Sequence, residues 1–165
     1  MDLILWRHAE AQDWPEGQTA TGDSLGGDLE RSLTSRGEIQ AIRIAKWLDR
    51  QLPDGTRILV SPARRCQQTA LALGRKYKIC TDLAPAGTPA QLLELVQWPF
   101  AKSPVLIVGH QPTLGQTIAQ LLGLQKSECA VKKGAVWWLR YRTRQREHDK
   151  AGQTVVVTVQ SPEIL

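Results

Sequence analysis

The stretch Leu3-Ile4-Leu5-Trp6-Arg7-His8 decides how this chain is read: four apolar residues in a row, then two ionisable ones. A short, continuous apolar run of this kind suits a strand buried on both faces of a parallel sheet. The same pattern recurs twice. Ile58-Leu59-Val60 runs into Ser61-Pro62-Ala63-Arg64-Arg65, and Val105-Leu106-Ile107-Val108 runs into Gly109-His110. In an open α/β sheet, ligands bind just outside the carboxyl ends of the strands. Arg7, His8, Arg65 and His110 are therefore predicted to meet in one pocket although they are scattered along the chain.

Working outward, strand-like runs alternate with helical periods, the pattern of βαβ units. The predicted fold is α/β, a three-layer sandwich with a mostly parallel central sheet and an antiparallel C-terminal strand pair. After the first strand comes a long polar stretch, Ala11 to Ser32, of the length that serves as a lid or binding loop; Gln12, Asp13 and Trp14 are placed to close over a substrate. Ser35-Arg36-Gly37-Glu38 reads as a capping box, with Ala41, Ile44, Ala45 and Leu48 following at helical spacing. Gln67 to Lys76 reads as a helix burying Ala70, Leu71 and Leu73. A short strand near Lys78 to Cys80 and a helix from about Pro89 to Gln97 follow. Thr113 to Leu122 is an amphipathic helix with Gly123 placed to cap it. Val136 to Arg142 and Thr154 to Gln160 are rich in aromatic and β-branched residues and form the antiparallel pair; Trp137 and Trp138 point to opposite faces of it.

The 165 residues, 42% of them hydrophobic, suit a single domain spanning 1–165. No apolar run approaches the roughly 20 residues that span a bilayer, and the first one lacks the features of a secretory signal. No membrane partner is expected, and a cytoplasmic location is. Cys66, Cys80 and Cys129 are odd in number and form no C-x-x-C pair, which argues for free thiols over a disulfide framework or a zinc site. The net charge of +5 owes much to Arg140, Arg142, Arg144, Arg146 and Lys150. Glu147 and Asp149 dilute that run and only Tyr141 is interleaved, so it reads as a solvated hairpin tip and not as a nucleic-acid surface.

The four residues at the strand ends suggest phosphoryl chemistry. A neutral imidazole is a nucleophile at physiological pH and needs no separate base to expose its lone pair. Two guanidinium forks and a protonated second histidine would stabilise the three charged oxygens of a transferring phosphoryl group. Arginine suits this better than lysine because its planar fork meets two oxygens at once. No metal or cofactor is required.

At this point the chain resembles a known family. Leu5-Trp6-Arg7-His8-Ala9 is similar to the R-H-G signature of the histidine phosphatase superfamily, which includes the phosphoglycerate mutases. Ser61 to Ala70 is similar to its S-P-x-x-R-x-x-Q-T-A segment, and Val108-Gly109-His110-Gln111-Pro112 to its second-histidine segment. Arg31-Ser32-Leu33-Thr34-Ser35-Arg36-Gly37, with Gln40-Ala41, matches the R-x-L-T-x-x-G-x-x-Q-A helix start found there. The resemblance implies a phosphoglycerate mutase-like fold, a nucleophilic His8 that becomes transiently phosphorylated, and a phosphate pocket of Arg7, Arg65 and His110. The family spacing selects Arg65 over Arg64.

Two departures stand out. Ala9 replaces the usual glycine, a small change. Asp82 to Pro89 holds no glutamate where mutases and many phosphatases carry the acid that protonates an alkoxide leaving group. An imidazole leaving from phosphohistidine needs less help, so the chain resembles the SixA phosphohistidine phosphatases and a phosphohistidine-containing protein is the expected substrate. Glu10 and Asp82 stay open as proton donors for small phosphate esters. A non-catalytic phosphate-binding module is the further alternative.

Overall fold

The computed structural model describes residues 1–13, 24–143 and 151–165. Its elements, in chain order, are β1 (Asp2–Arg7), α1 (Ser24–Leu29), α2 (Ser35–Gln51), β2 (Arg57–Val60), α3 (Arg64–Leu71), β3 (Lys78–Ile79), α4 (Pro89–Leu95), β4 (Val105–Gly109), α5 (Thr113–Leu122), β5 (Val136–Thr143) and β6 (Gly152–Gln160), with short 3₁₀ turns at Thr81–Leu83 and Pro162–Ile164. The six strands form one sheet in the order β3-β2-β4-β1-β5-β6. The first four are parallel; β5 runs antiparallel to β1 and β6 antiparallel to β5.

Alternation along the central strands explains the three layers, since successive side chains face opposite sides of a sheet. Ile4, Trp6, Ile58, Val60, Leu106 and Val108 face α2 and α3, whose Ile44, Ala45, Leu48 and Ala70 close that half of the core. Leu3, Leu5, Leu59, Val105 and Ile107 face the other way, against Leu92 of α4 and Leu114 and Ile118 of α5. Trp138 is buried in the first layer and Trp137 packs half-covered against the second. With both faces covered, no polar residue interrupts the central strands until their carboxyl ends.

Several predicted details shift. Thr34, not Ser35, caps α2: its hydroxyl accepts the Gly37 N–H at 3.0 Å, which moves the cap one residue back. The helix predicted over Gln67 to Lys76 begins at Arg64 and ends at Leu71. Its buried face is Arg65, Cys66, Thr69 and Ala70, so Leu71 falls outside that face and is 68% exposed. Gly74, at φ 70°, then turns the chain, a conformation that favours glycine. The polar stretch Ala11 to Ser32 contains α1, and it is held at its base by Gln12 N–H donating to Ser32 O at 2.8 Å. Gln12 and Asp13 are exposed, while Trp14 lies outside the described residues. Arg140 is no part of a solvated tip. Its guanidinium grips the Asp2 carboxylate at 2.7 and 2.8 Å, tying β5 to β1, and Trp138 Nε1 donates to the same carboxylate. Arg144, Arg146, Glu147, Asp149 and Lys150 lie outside the described residues.

Candidate active site

The sheet register decides which side chains meet. Arg7 of β1 pairs with Gly109 of β4, so His8 and His110 are the next residues beyond two adjacent strand ends. Their rings lie 5.4 Å apart between centroids, tilted by 58°. Val60 pairs with Val108, which sets Ser61 beside the same edge and starts α3 there. Arg65, on the first turn of α3, points back into the site and is 3% exposed. All four predicted residues thus come together, whereas Arg64 is exposed to solvent.

Hydrogen bonds fix the tautomer of each histidine. His8 Nδ1 lies 2.7 Å from the carbonyl oxygen of Ala9, and a carbonyl can only accept. The proton therefore sits on Nδ1, leaving the lone pair on Nε2. The backbone around His8 is pinned on both sides, with His8 N–H donating to Gly109 O and Gly134 N–H donating to His8 O. Arg65 Nη2 donates to His110 Nδ1 at 3.3 Å, so that nitrogen bears the lone pair and Nε2–H donates to Ser61 Oγ at 2.7 Å. Burial pushes the His8 pKa down to about 3, with the charges of His110, Arg65 and Arg7 acting in the same direction and the Ala9 carbonyl opposing them. Burial also brings His110 to about 3, followed by the charges of Arg65, Arg31 and Arg7. The protonated second histidine expected from sequence is thus a neutral one among these guanidinium groups.

The two arginines keep donors in reserve. Arg7 Nη1 donates to Val131 O at 2.7 Å, and Arg65 Nη1 and Nη2 reach the backbone oxygen and carboxylate of Asp28. The Nε–H of each is buried and has no partner among the described residues. Buried donors are normally paired, so two unpaired guanidinium N–H groups beside a neutral imidazole are what a small oxyanion would satisfy. A groove of about 640 Å³ opens beside Arg7, lined also by Gln111, Leu124, Lys126, Glu128 and Cys129.

The segments noted in the sequence have physical jobs around this pocket. Thr69 accepts the Ala9 N–H at 3.0 Å and donates to Arg65 O at 2.7 Å, linking the strand end to α3. Gln68 Oε1 accepts from Leu33 N–H, and Gln40 Oε1 from Glu10 N–H. A Cβ on Gly37 would come within 2.0 Å of Glu10 O, so only glycine lets α2 approach the strand end this closely. Ala41 packs on Ala9 and Leu33. Asp28 and Arg31 went unrecognised as site residues; an aspartate three residues before the arginine of the R-x-L-T segment was the available signal.

The open candidates for a proton donor lie elsewhere. The Glu10 carboxylate accepts from Thr34 Oγ1 at 3.0 Å and faces Arg36, at the start of α2. Asp82 is exposed on the turn after β3. The glutamate-free stretch packs instead on α5, with Gly87 O accepting from Thr113 Oγ1. Cys66 and Cys80 are buried free thiols and Cys129 is a half-buried one. Among the described residues, no group of His, Cys, Asp or Glu is arranged to hold a metal ion, and no helix is long and apolar enough to cross a membrane.

Comparison with known proteins agrees with this fold. Residues 3–86 match the model of the histidine phosphatase superfamily, branch 1. A phosphohistidine phosphatase SixA homolog from Haemophilus influenzae is 32% identical over 139 residues, covering 74% of this chain and 78% of that protein. The phosphohistidine phosphatase SixA of Escherichia coli is 30% identical over 131 residues, covering 73% and 74%. The solved structure of the protein histidine phosphatase SixA complexed with tungstate superposes with a TM-score of 0.70 at 24% identity, covering 99% of both chains.

Proposed function

Because this chain belongs to the histidine phosphatase superfamily, in its SixA-like branch, we propose that it is a phosphohistidine phosphatase acting on a phosphohistidine-containing protein through a covalent phospho-His8 intermediate. The observation that carries the reading is the His8 tautomer: Nδ1 is committed to Ala9 O, and Nε2 is free to attack at neutral pH.

In the first step His8 Nε2 forms a bond to phosphorus as the P–N bond to the substrate imidazole breaks; the departing nitrogen keeps the electron pair, and the substrate ring, already protonated on its other nitrogen, leaves as neutral imidazole. Arg7 and Arg65 offer their unpaired Nε–H groups to the equatorial oxygens. His110 stays neutral: its Nδ1 accepts from Arg65 Nη2 and its Nε2–H donates to Ser61 Oγ, so it holds the Arg65 guanidinium in place beside the phosphoryl group. In the second step water attacks phosphorus, the P–Nε2 bond breaks, and phosphate leaves with His8 restored.

An alkoxide leaving group would lack a dedicated acid, typically worth about 10² to 10⁴ in rate, since the Glu10 carboxylate is engaged at α2 and Asp82 is exposed. This favours the phosphoamide over small esters, and the groove beside Arg7 leaves room for a protein surface. The test compares phosphate release from a phosphohistidine protein, an aryl phosphate and an alkyl phosphate, with native chain and His8→Ala. Release from phosphohistidine and aryl substrates that depends on His8, with little from the alkyl ester, is the expected result. Equal turnover of the alkyl ester would overturn the substrate assignment, and full activity of His8→Ala the nucleophile.

A further inference from the structure

Asp28, on α1, is the most heavily used carboxylate near the pocket. Its Oδ1 accepts from Arg31 Nε and lies 3.0 Å from Arg31 Nη2. Its Oδ2 and its backbone oxygen accept from Arg65 Nη2 at 3.1 Å and Nη1 at 2.7 Å. One residue therefore holds the outer edge of one guanidinium and the flank of another, across 37 positions of sequence in the first case. Arg31 is anchored in turn by Nη1 donating to Gln12 O.

Two consequences follow from this arrangement. A guanidinium offers five N–H donors in a rigid plane, so fixing two of its nitrogens fixes where the third points. With Nη1 and Nη2 of Arg65 held by Asp28, the buried and unpaired Nε–H has a single direction to face. The second consequence concerns charge. Arg7, Arg31 and Arg65 bring three positive charges close to His110, and Asp28 supplies one negative charge, leaving two to be matched. A phosphoryl dianion matches them.

We propose that Asp28 is the positioning residue of this pocket: it aims Arg65 at the phosphoryl group and trims the cationic charge to that of a dianion, without touching the reacting atoms. This rests on the assignment of Arg65 to phosphoryl binding.

The test is a double-mutant cycle on Asp28→Asn and Arg65→Lys, with aryl phosphate turnover and inhibition by inorganic phosphate as readouts and thermal melting as the check on folding. Asparagine keeps the shape and one of the two side-chain oxygen acceptors, removes the charge, and turns an amide N–H toward one of the two arginines. Asp28→Asn is expected to lower kcat by about 10-fold or more, since misplacement of the order of 1 Å can cost about 10²-fold. Inhibition by phosphate should hold or tighten by about 3-fold, because a negative charge has been removed beside a cationic pocket. In the Arg65→Lys background the same change should alter kcat by less than about 2-fold, as expected of two residues acting as one unit. A full cost persisting in that background would show that Asp28 does not act through Arg65. Loss of phosphate affinity in step with kcat/KM, or no loss of kcat in a folded variant, would also overturn the proposal. If Arg65→Lys itself leaves turnover and phosphate inhibition unchanged, it is the assignment of Arg65 that fails.

Discussion

His8 Nδ1 and the carbonyl oxygen of Ala9 lie 2.7 Å apart, which commits the proton to Nδ1 and makes Nε2 the nucleophilic atom. A phosphoenzyme trapped by rapid acid-free quenching should therefore carry phosphate on Nε2 of His8. Fragmentation mass spectrometry locates the residue, and phosphorus NMR distinguishes the two ring nitrogens. Label on Nδ1 would contradict the tautomer. His8→Ala should lose about 10⁴-fold or more in turnover while melting as a folded protein.

Thr69 is fully buried and bridges Ala9 N–H to Arg65 O. Thr69→Val keeps the volume and leaves the Ala9 N–H without its acceptor, at a cost of about 1–3 kcal/mol in stability. Because the same residue carries the carbonyl that orients His8, kcat should fall more than KM rises. Thr69→Ser retains the hydroxyl and should restore most of both. Urea midpoints and steady-state kinetics on the two variants check this; native kcat in the valine variant would remove Thr69 from the positioning chain.

Gly37→Ala tests the approach of α2 to the strand end. The added methyl meets Glu10 O at 2.0 Å, so the backbone two residues beyond His8 must shift. Overpacking of this kind costs about 1–3 kcal/mol, a fall in Tm of roughly 2–4 °C per kcal/mol for a chain of this size. Calorimetry reads the stability and aryl phosphate turnover reads the displacement. An unchanged Tm would show that α2 can move away freely.

The buried histidines also set the pH behaviour. With both pushed down to about 3, neither imidazole should titrate in NMR spectra of the native chain between pH 5 and 8. In the unfolded chain each binds a proton below about 6.5. Between those values the unfolded state holds more protons, so stability falls as pH drops from about 6.5 toward 3, by up to about 1.4 kcal/mol per pH unit for each histidine. Cys66 works from the alkaline side: burial pushes its pKa up to about 12, so stability is present below the ordinary thiol value near 9 and is lost as pH rises toward 12. Denaturant midpoints across pH check both limbs, and a flat acid side would contradict burial of the neutral imidazoles.

The strand ends were legible because burial on both faces forces an unbroken apolar run, and the first ionisable residue after it marks the edge of the core. Helix α5 was legible to the residue because Gly123 ends it in a left-handed conformation. Leu71 was misplaced because apolar character alone does not fix the phase of a short helix; buried Arg65 and Thr69 set it, and polar residues carry no such signal. Thr34 and Ser35 are chemically equivalent caps, and only the position of Gly37 N–H selects between them. Asp28 sits in a stretch without periodicity, and its partnership with Arg65 depends on how the chain returns to the sheet edge. Gln40, Gln68 and Thr69 matched a familiar segment, but their partners are backbone groups, which sequence does not label.

In the sheet order, β1 lies between β4 and β5, so the earliest of these six strands in the chain is flanked by two of the latest. A nascent chain carries the His8 segment long before Val105–Gly109 and Val136–Thr143 exist to enclose it. Pairings this distant in sequence close slowly. Recovery of phosphatase turnover after dilution from denaturant should consequently lag behind recovery of helical circular dichroism, which makes enzyme activity a clock for the last stage of folding.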